Sequence, residues 1–155
     1  MVTILVLFDF SKALDCITHM TLLTKLQRMG ISGLPLRFFN NLQGRQQTVR
    51  ITRARCSGCR PISSDVPQIS VLGPLLFGLF STDLPRMLTH CRKYVDDTQI
   101  YYHALPSKLD NSLGLIERDV QAVSDWALNN GLELSTKKTQ VIILGRAHCT
   151  IHYLP

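Results

Sequence analysis

The chain lacks the marks of an exported or membrane-inserted protein. Its opening apolar run, Val2–Phe8, has no basic region ahead of it, stops after seven residues and ends on Asp9, which suits neither a signal peptide nor a membrane span. A soluble chain without membrane contact is the expectation. Cysteine usage excludes a disulfide scaffold: the five cysteines, at 16, 56, 59, 91 and 149, are odd in number and scattered. A reducing, intracellular compartment follows, either nucleus or cytoplasm. Cys56-Ser57-Gly58-Cys59 has zinc-ligand spacing, but no second pair or His-x-x-x-His follows at a useful distance, so it reads as a loop with two thiols. Internal repeats and low-complexity segments are also missing. Acidic residues are few, 11 against 17 Lys and Arg, giving a net charge of +6 and a pI near 9.3. That balance suits a polyanionic partner. A length of 155 residues with 45% hydrophobic content is enough for one domain with a real core.

What the chain does have is carboxylates in places where a core would reject them. Asp96 and Asp97 are adjacent, between Tyr94-Val95 and the β-prone run Thr98–Tyr102. Neighbouring carboxylates repel and are seldom buried unless they are paired or bind a metal. A divalent cation reverses that repulsion, and magnesium, with its preference for hard oxygen ligands, is the natural candidate. A third carboxylate, Asp9, ends Val2–Phe8, a run of the kind expected of a strand buried on both faces.

These residues resemble a reverse transcriptase palm of the jockey-like retrotransposons that lack long terminal repeats. Four ordered motifs carry the resemblance: Phe8-Asp9-Phe10-Ser11-Lys12-Ala13-Leu14-Asp15, Val66-Pro67-Gln68-Ile69-Ser70-Val71-Leu72-Gly73-Pro74-Leu75-Leu76-Phe77, Tyr94-Val95-Asp96-Asp97, and Gly131-Leu132-Glu133-Leu134-Ser135-Thr136-Lys137-Lys138-Thr139-Gln140. The resemblance implies an RNA-directed DNA polymerase whose substrates are an RNA template, a DNA primer and deoxynucleoside triphosphates. By the same resemblance Asp9, Asp96 and the Phe10 carbonyl hold two Mg2+ ions, with Mn2+ as a substitute. Asp97 takes the second acidic position, and Lys138 donates a proton to the leaving pyrophosphate, with Lys137 the other occupant of that role. Leu14 and Gln68 fall at nucleotide-contacting positions. Asp15 reads as a residue behind the metal ligands or as a helix cap.

The chain departs from the family pattern where Leu14 replaces the usual Phe or Tyr, where Ile69 replaces a glycine, and in a short strand before Tyr94. With fingers and thumb missing, these departures suggest a truncated or decaying copy. The alternative is therefore an inactive retroelement remnant that at most binds nucleic acid. An unrelated two-carboxylate nuclease is disfavoured by the spacing of all four motifs.

Along the chain, Thr18–Met29 predicts a helix with Leu22, Leu23, Leu26 and Met29 on one face and a stop at Gly30, and His19 reads as structural. A second helix is predicted over residues 33–43 with Leu34, Phe38, Phe39 and Leu42 inward. Residues 45–55 then read as an exposed strand or hairpin whose arginines, Arg45, Arg50, Arg53 and Arg55, suit phosphates. Residues 56–65 read as a loop, Gly73-Pro74 opens a helix, residues 109–130 give the clearest helix, and Gln140–Leu144 a short strand. The expected class is α+β, an antiparallel sheet with helices packed on one face. The palm is expected over residues 1–146, with 147–155 a poorly ordered tail.

Overall fold

The computed structural model describes the chain except residues 42, 54, 65–71, 95–96, 106, 108, 146–148 and 154–155, and leaves out the side chains of 72, 94, 109–110 and 149–153 as well. Five strands form the main sheet: β1 (Val2–Phe8), β7 (Cys91–Tyr94), β8 (Asp97–Ala104), β10 (Gln140–Leu144) and β11 (Cys149–Tyr153). Their order is β11-β10-β1-β8-β7 and every neighbouring pair is antiparallel. Central β1 runs from Val2 opposite Ala104 to Phe8 opposite Thr98 on one side, and from Thr3 opposite Leu144 to Leu7 opposite Gln140 on the other.

Alternation decides which face is filled. Ile4, Val6 and Phe8 of β1 and Thr98, Ile100, Tyr102 and Ala104 of β8 are buried, whereas the residues between them are half-buried or exposed. This corrects the reading of Val2–Phe8 as buried on both faces. A continuous apolar run does not require two covered faces, and here Leu5 and Leu7 lie on an open one. The covered face shares a single core with Leu22, Leu23 and Leu26 of α1 (His19–Arg28), Leu76, Phe77 and Phe80 of α3 (Leu72–Phe80), and Ile116, Val123 and Trp126 of α4 (Leu109–Asn129). Pro74 is tolerated in the first turn of α3, where its missing N–H leaves no internal bond unmade. Gly30 and Gly131 follow α1 and α4 with φ of 84° and 71°, the left-handed conformation that ends a helix. Among the described residues no helix is long and apolar enough to cross a membrane.

Several expectations change. The second helix, α2, is Gly33–Asn40 and exposes Leu34 and Phe38 (77% and 57%), while Leu36 and Phe39 pack against the core. Spacing marked the apolar stripe, but one helix edge suffices for a short helix packed at the periphery. Leu42 lies outside the described residues. Met29 is likewise exposed, just past the end of α1. The arginine hairpin extends through the expected loop: β3 (Gln46–Gln47) pairs with β6 (Arg60–Pro61), and β4 (Arg50–Thr52) with β5 (Arg55–Cys56). Its two halves are joined where Ser57 N–H donates to the Val49 carbonyl (2.8 Å) and Val49 N–H to Ser57 Oγ (2.8 Å). Within the expected tail, Cys149–Tyr153 pairs with β10 as the outermost strand. Its alternating Thr150 and His152 between Cys149, Ile151 and Tyr153 is too short a pattern to separate from a tail by sequence alone.

The thin strand before the third motif also has a structural account. In β7, Cys91 pairs with Ile100 and Lys93 with Thr98, so both point to the covered face. Lys93 reaches the Ser81 hydroxyl while its ammonium sits 5.2 Å from the centre of the Phe77 ring. A lysine with its stem in the core substitutes for an apolar residue there.

Candidate active site

Asp9 follows the last residue of β1, and Asp97 is the first residue of β8. Because Phe8 pairs with Thr98, one further register step sets Asp9 opposite Asp97. The chain then turns into β2 (Phe10–Ser11), which pairs with β9 (Glu133–Leu134) in the register Phe10 to Leu134. Phe10 is the anchor: its ring is buried, 6.4 Å from Phe77 and 6.0 Å edge-on from Trp126. An aromatic residue held on two sides fixes the backbone next to the carboxylate.

The fourth motif closes the site. Ser135 N–H donates to the Asp9 carbonyl at 2.8 Å, and the following turn is held by Lys138 N–H and Thr139 N–H donating to the Ser135 carbonyl (3.0 and 2.8 Å). The Thr139 hydroxyl adds a bond to the same carbonyl at 2.9 Å. That turn carries the Lys138 ammonium to 3.6 Å from Asp9 Oδ1. Both side chains are substantially exposed, 70% and 38%, so the pair contributes at most about 1 kcal/mol to stability. Its arrangement matters more than its strength. Asp9, Asp97 and Lys138 line one open cavity of about 230 Å³, together with Leu7, Phe8, Thr98, Gln99 and Gln140.

Of the residues expected from sequence, these three meet. Phe10 lies beside them through its backbone, with its ring in the core. Leu14 is half-buried in the turn after β2 and packs against the core rather than lining the cavity. Arg45 and Arg50 sit on the exposed hairpin and do not line the cavity. Asp96 and Gln68 lie outside the described residues. Gln99 and Gln140 were not singled out by sequence. The signal for Gln99 is its spacing of two from Asp97, which places it on the same strand face.

Sequence reading also missed Asp119, on the buried stripe of α4. Its fully buried carboxylate accepts from the Tyr102 hydroxyl, from Thr89 N–H (2.8 Å) and from the Arg118 guanidinium (3.2 Å), which also reaches the Thr89 hydroxyl (2.8 Å). Burial pushes this carboxyl upward, but the bonds from Tyr102, Thr89 and Arg118 outweigh it and hold it below the ordinary aspartate range. Burial and the same carboxylate push the Tyr102 phenol up. The network ties α4 to β8 and to the entry into β7, the two strands that flank the third motif.

A group of two carboxylates on adjacent strands, opening on one solvent-accessible cavity, offers the hard oxygen donors that Mg2+ takes. Among the described residues no three His, Cys, Asp or Glu side chains gather into one group. The two carboxylates nevertheless fit a site that draws its remaining ligands from elsewhere, and Lys138 already offsets charge at Asp9.

The order of carboxylate, hairpin carboxylate and lysine-bearing turn coincides with a family-wide match. A model of the family described as "Reverse transcriptase (RNA-dependent DNA polymerase)" matches residues 1–154, and the chain belongs to that family. It is similar to the RNA-directed DNA polymerase from mobile element jockey of Drosophila melanogaster, 31% identical over 142 residues that cover 84% of this chain. The match spans about 15% of that relative's length.

Proposed function

We propose that the chain is the palm of an RNA-directed DNA polymerase, acting within a longer jockey-like polyprotein that supplies fingers and thumb, in the nucleus or cytoplasm. The observation that supports this reading is the convergence of Asp9, Asp97 and Lys138, from three distant segments, on one cavity. Asp9, Asp96 and the Phe10 carbonyl would hold two Mg2+ or Mn2+ ions. When bound, such ions lower the pKa of the primer 3′-hydroxyl and neutralise the triphosphate and the leaving pyrophosphate. Asp97 adds negative charge at the mouth of the cavity. The ammonium of Lys138, 3.6 Å from Asp9 in the lining of that cavity, would turn from Asp9 toward the substrate and give up a proton to pyrophosphate. Gln68 contacts the nucleotide, and Arg45 and Arg50 bear on template phosphates; Leu14, packed against the core, does not line the cavity.

Primer extension on an RNA template with Mg2+ tests the reading, comparing the chain with Asp96→Asn and Asp9→Asn. Extension by the wild type that either substitution abolishes supports it; no extension by a folded chain leaves family membership without activity in this chain by itself. A second reading, an inactive remnant that only binds nucleic acid, draws on the packing of Leu14 against the core and on the exposed hairpin arginines. It predicts salt-sensitive binding that is indifferent to Mg2+.

A further inference from the structure

Among the helices that cover the sheet, a largely buried ammonium is matched to one carboxylate and set among rings. Lys25 of α1 donates to the Phe80 carbonyl (2.8 Å) and to both carboxylate oxygens of Asp83 (3.0 and 2.9 Å). Its ammonium lies 4.4 Å from the centre of the Phe80 ring and 4.9 Å from that of Trp126. The Trp126 indole N–H also donates to Asp83 Oδ1 (3.1 Å). Asp83 is thereby committed to Lys25. Two further cations, Arg28 at the end of α1 and Arg86 in the single helical turn Leu84–Met87, line the same cavity of about 220 Å³, together with Met29, Leu79 and Thr82. A second cavity, of about 430 Å³, meets it at Lys25, Arg28 and Asp83 and continues to Met20, Thr24 and Asn129, the last residue of α4.

We propose that this trough docks an acidic, amphipathic segment of a partner protein, whose carboxylates engage Arg28 and Arg86 and whose apolar side chains rest on the methionines. Charge is the first support. Three cations face the trough against one acid, and among the described residues Arg28 and Arg86 belong to no ion pair. The excess is felt at Lys25: burial pushes its ammonium below the ordinary lysine range, and the Arg28 charge pushes the same way against the pull of Asp83. Guanidinium forks hold carboxylates through paired hydrogen bonds, so an arriving acid relieves that repulsion with directed bonds. The walls are the second support. Met20 and Met29 in the trough and Met87 beside Arg86 are 67%, 40% and 52% exposed, and a flexible thioether adapts readily to an apolar partner. A phosphate backbone suits the trough less well, since two guanidiniums in a cleft shared with Asp83 make no continuous track of charge. The inference is independent of the polymerase reading, because none of these residues lines the Asp9 cavity.

The test is fluorescence anisotropy of the full chain with a labelled helical peptide of about 14 residues, glutamate on one face and leucine on the other, beside a twin with glutamine for every glutamate. The acidic peptide should bind, and the glutamine twin should bind at least about tenfold more weakly. Arg28→Gln and Arg86→Gln should each weaken the acidic peptide about tenfold. Both residues are exposed, so the variants should keep the fold, which Trp126 emission verifies. Arg53→Gln on the hairpin removes the same charge elsewhere and should leave binding unchanged. With isotope-labelled methionine methyl groups read by NMR, the peptide should shift the Met20 and Met29 signals of the wild type and leave Met1 in place. Equal binding of the two peptides, equal binding by wild type and Arg28→Gln, an equal loss with Arg53→Gln, or unshifted Met20 and Met29 would each overturn the proposal. Labelled oligothymidylate weakened as strongly as the acidic peptide by Arg28→Gln and Arg86→Gln would overturn it too, and assign the trough to nucleic acid.

Discussion

Replacing Asp119 by alanine tests the reasoning about the buried carboxylate most directly. The substitution strands the buried Tyr102 hydroxyl, leaves the part-buried Thr89 N–H without its acceptor, and removes one partner of Arg118. A buried orphaned donor costs about 1–3 kcal/mol and the part-buried one less, so the loss should be about 2–4 kcal/mol, a large fraction of the 5–15 kcal/mol typical of a domain. Urea unfolding followed by fluorescence is well suited, because the single tryptophan, Trp126, is buried in the same helix. Tyr102→Phe leaves an unfilled acceptor on a carboxylate that keeps its other donors, and should cost less. In the double variant the combined effect should fall short of the sum, with a coupling of about 1–2 kcal/mol. The pH dependence has a definite sign. A carboxyl held below its ordinary range in the folded state contributes stability that is present above the unfolded aspartate value, 3.8, and is lost as pH falls through the depressed value. The wild type should therefore lose stability below that point in a way that Asp119→Ala does not. An unchanged urea midpoint, or parallel pH profiles for the two proteins, would refute the account.

Other substitutions separate the core from its edges. Leu26→Ala, at a fully buried position, should cost about 2–5 kcal/mol in urea unfolding, whereas Phe38→Ser on the open side of α2 should change stability by less than about 0.5 kcal/mol. Phe10→Ala should cost about 3–5 kcal/mol and shift Trp126 emission to the red, since that ring packs against the indole. Gly131→Ala should cost about 1 kcal/mol for the left-handed backbone alone, measured by thermal unfolding.

Much of this was legible in the sequence where periodicity and punctuation agreed. Leu22 and Leu26, Val123 and Trp126, and the glycines at 30 and 131 marked two helices and their ends, and the β-prone run after Asp97 marked β8. Asp9 and Lys138 were found through motif spacing, and their proximity could not have been read without the register of β1 and β8 and the turn at Ser135. What escaped was tertiary in origin. Whether Leu5 or Phe38 is covered depends on how many elements are at hand to cover it, and whether Asp119 is tolerated in a core depends on Tyr102 arriving from β8 and Thr89 from the bend ahead of β7. Short strands such as β9 and β11 take their conformation from a neighbour's edge more than from their own residues.

The central position of β1 also governs when this protein can become folded. Its partners lie opposite in the registers Val2 to Ala104 and Thr3 to Leu144, so β1, made before either partner, has both edges satisfied only once β10 has followed. During synthesis Val2–Phe8 is an apolar, β-prone segment with free edges, of the kind that recruits chaperones or pairs with other copies of itself. A copy cut short before Gln140 leaves one edge of that strand bare, and its failure would be aggregation.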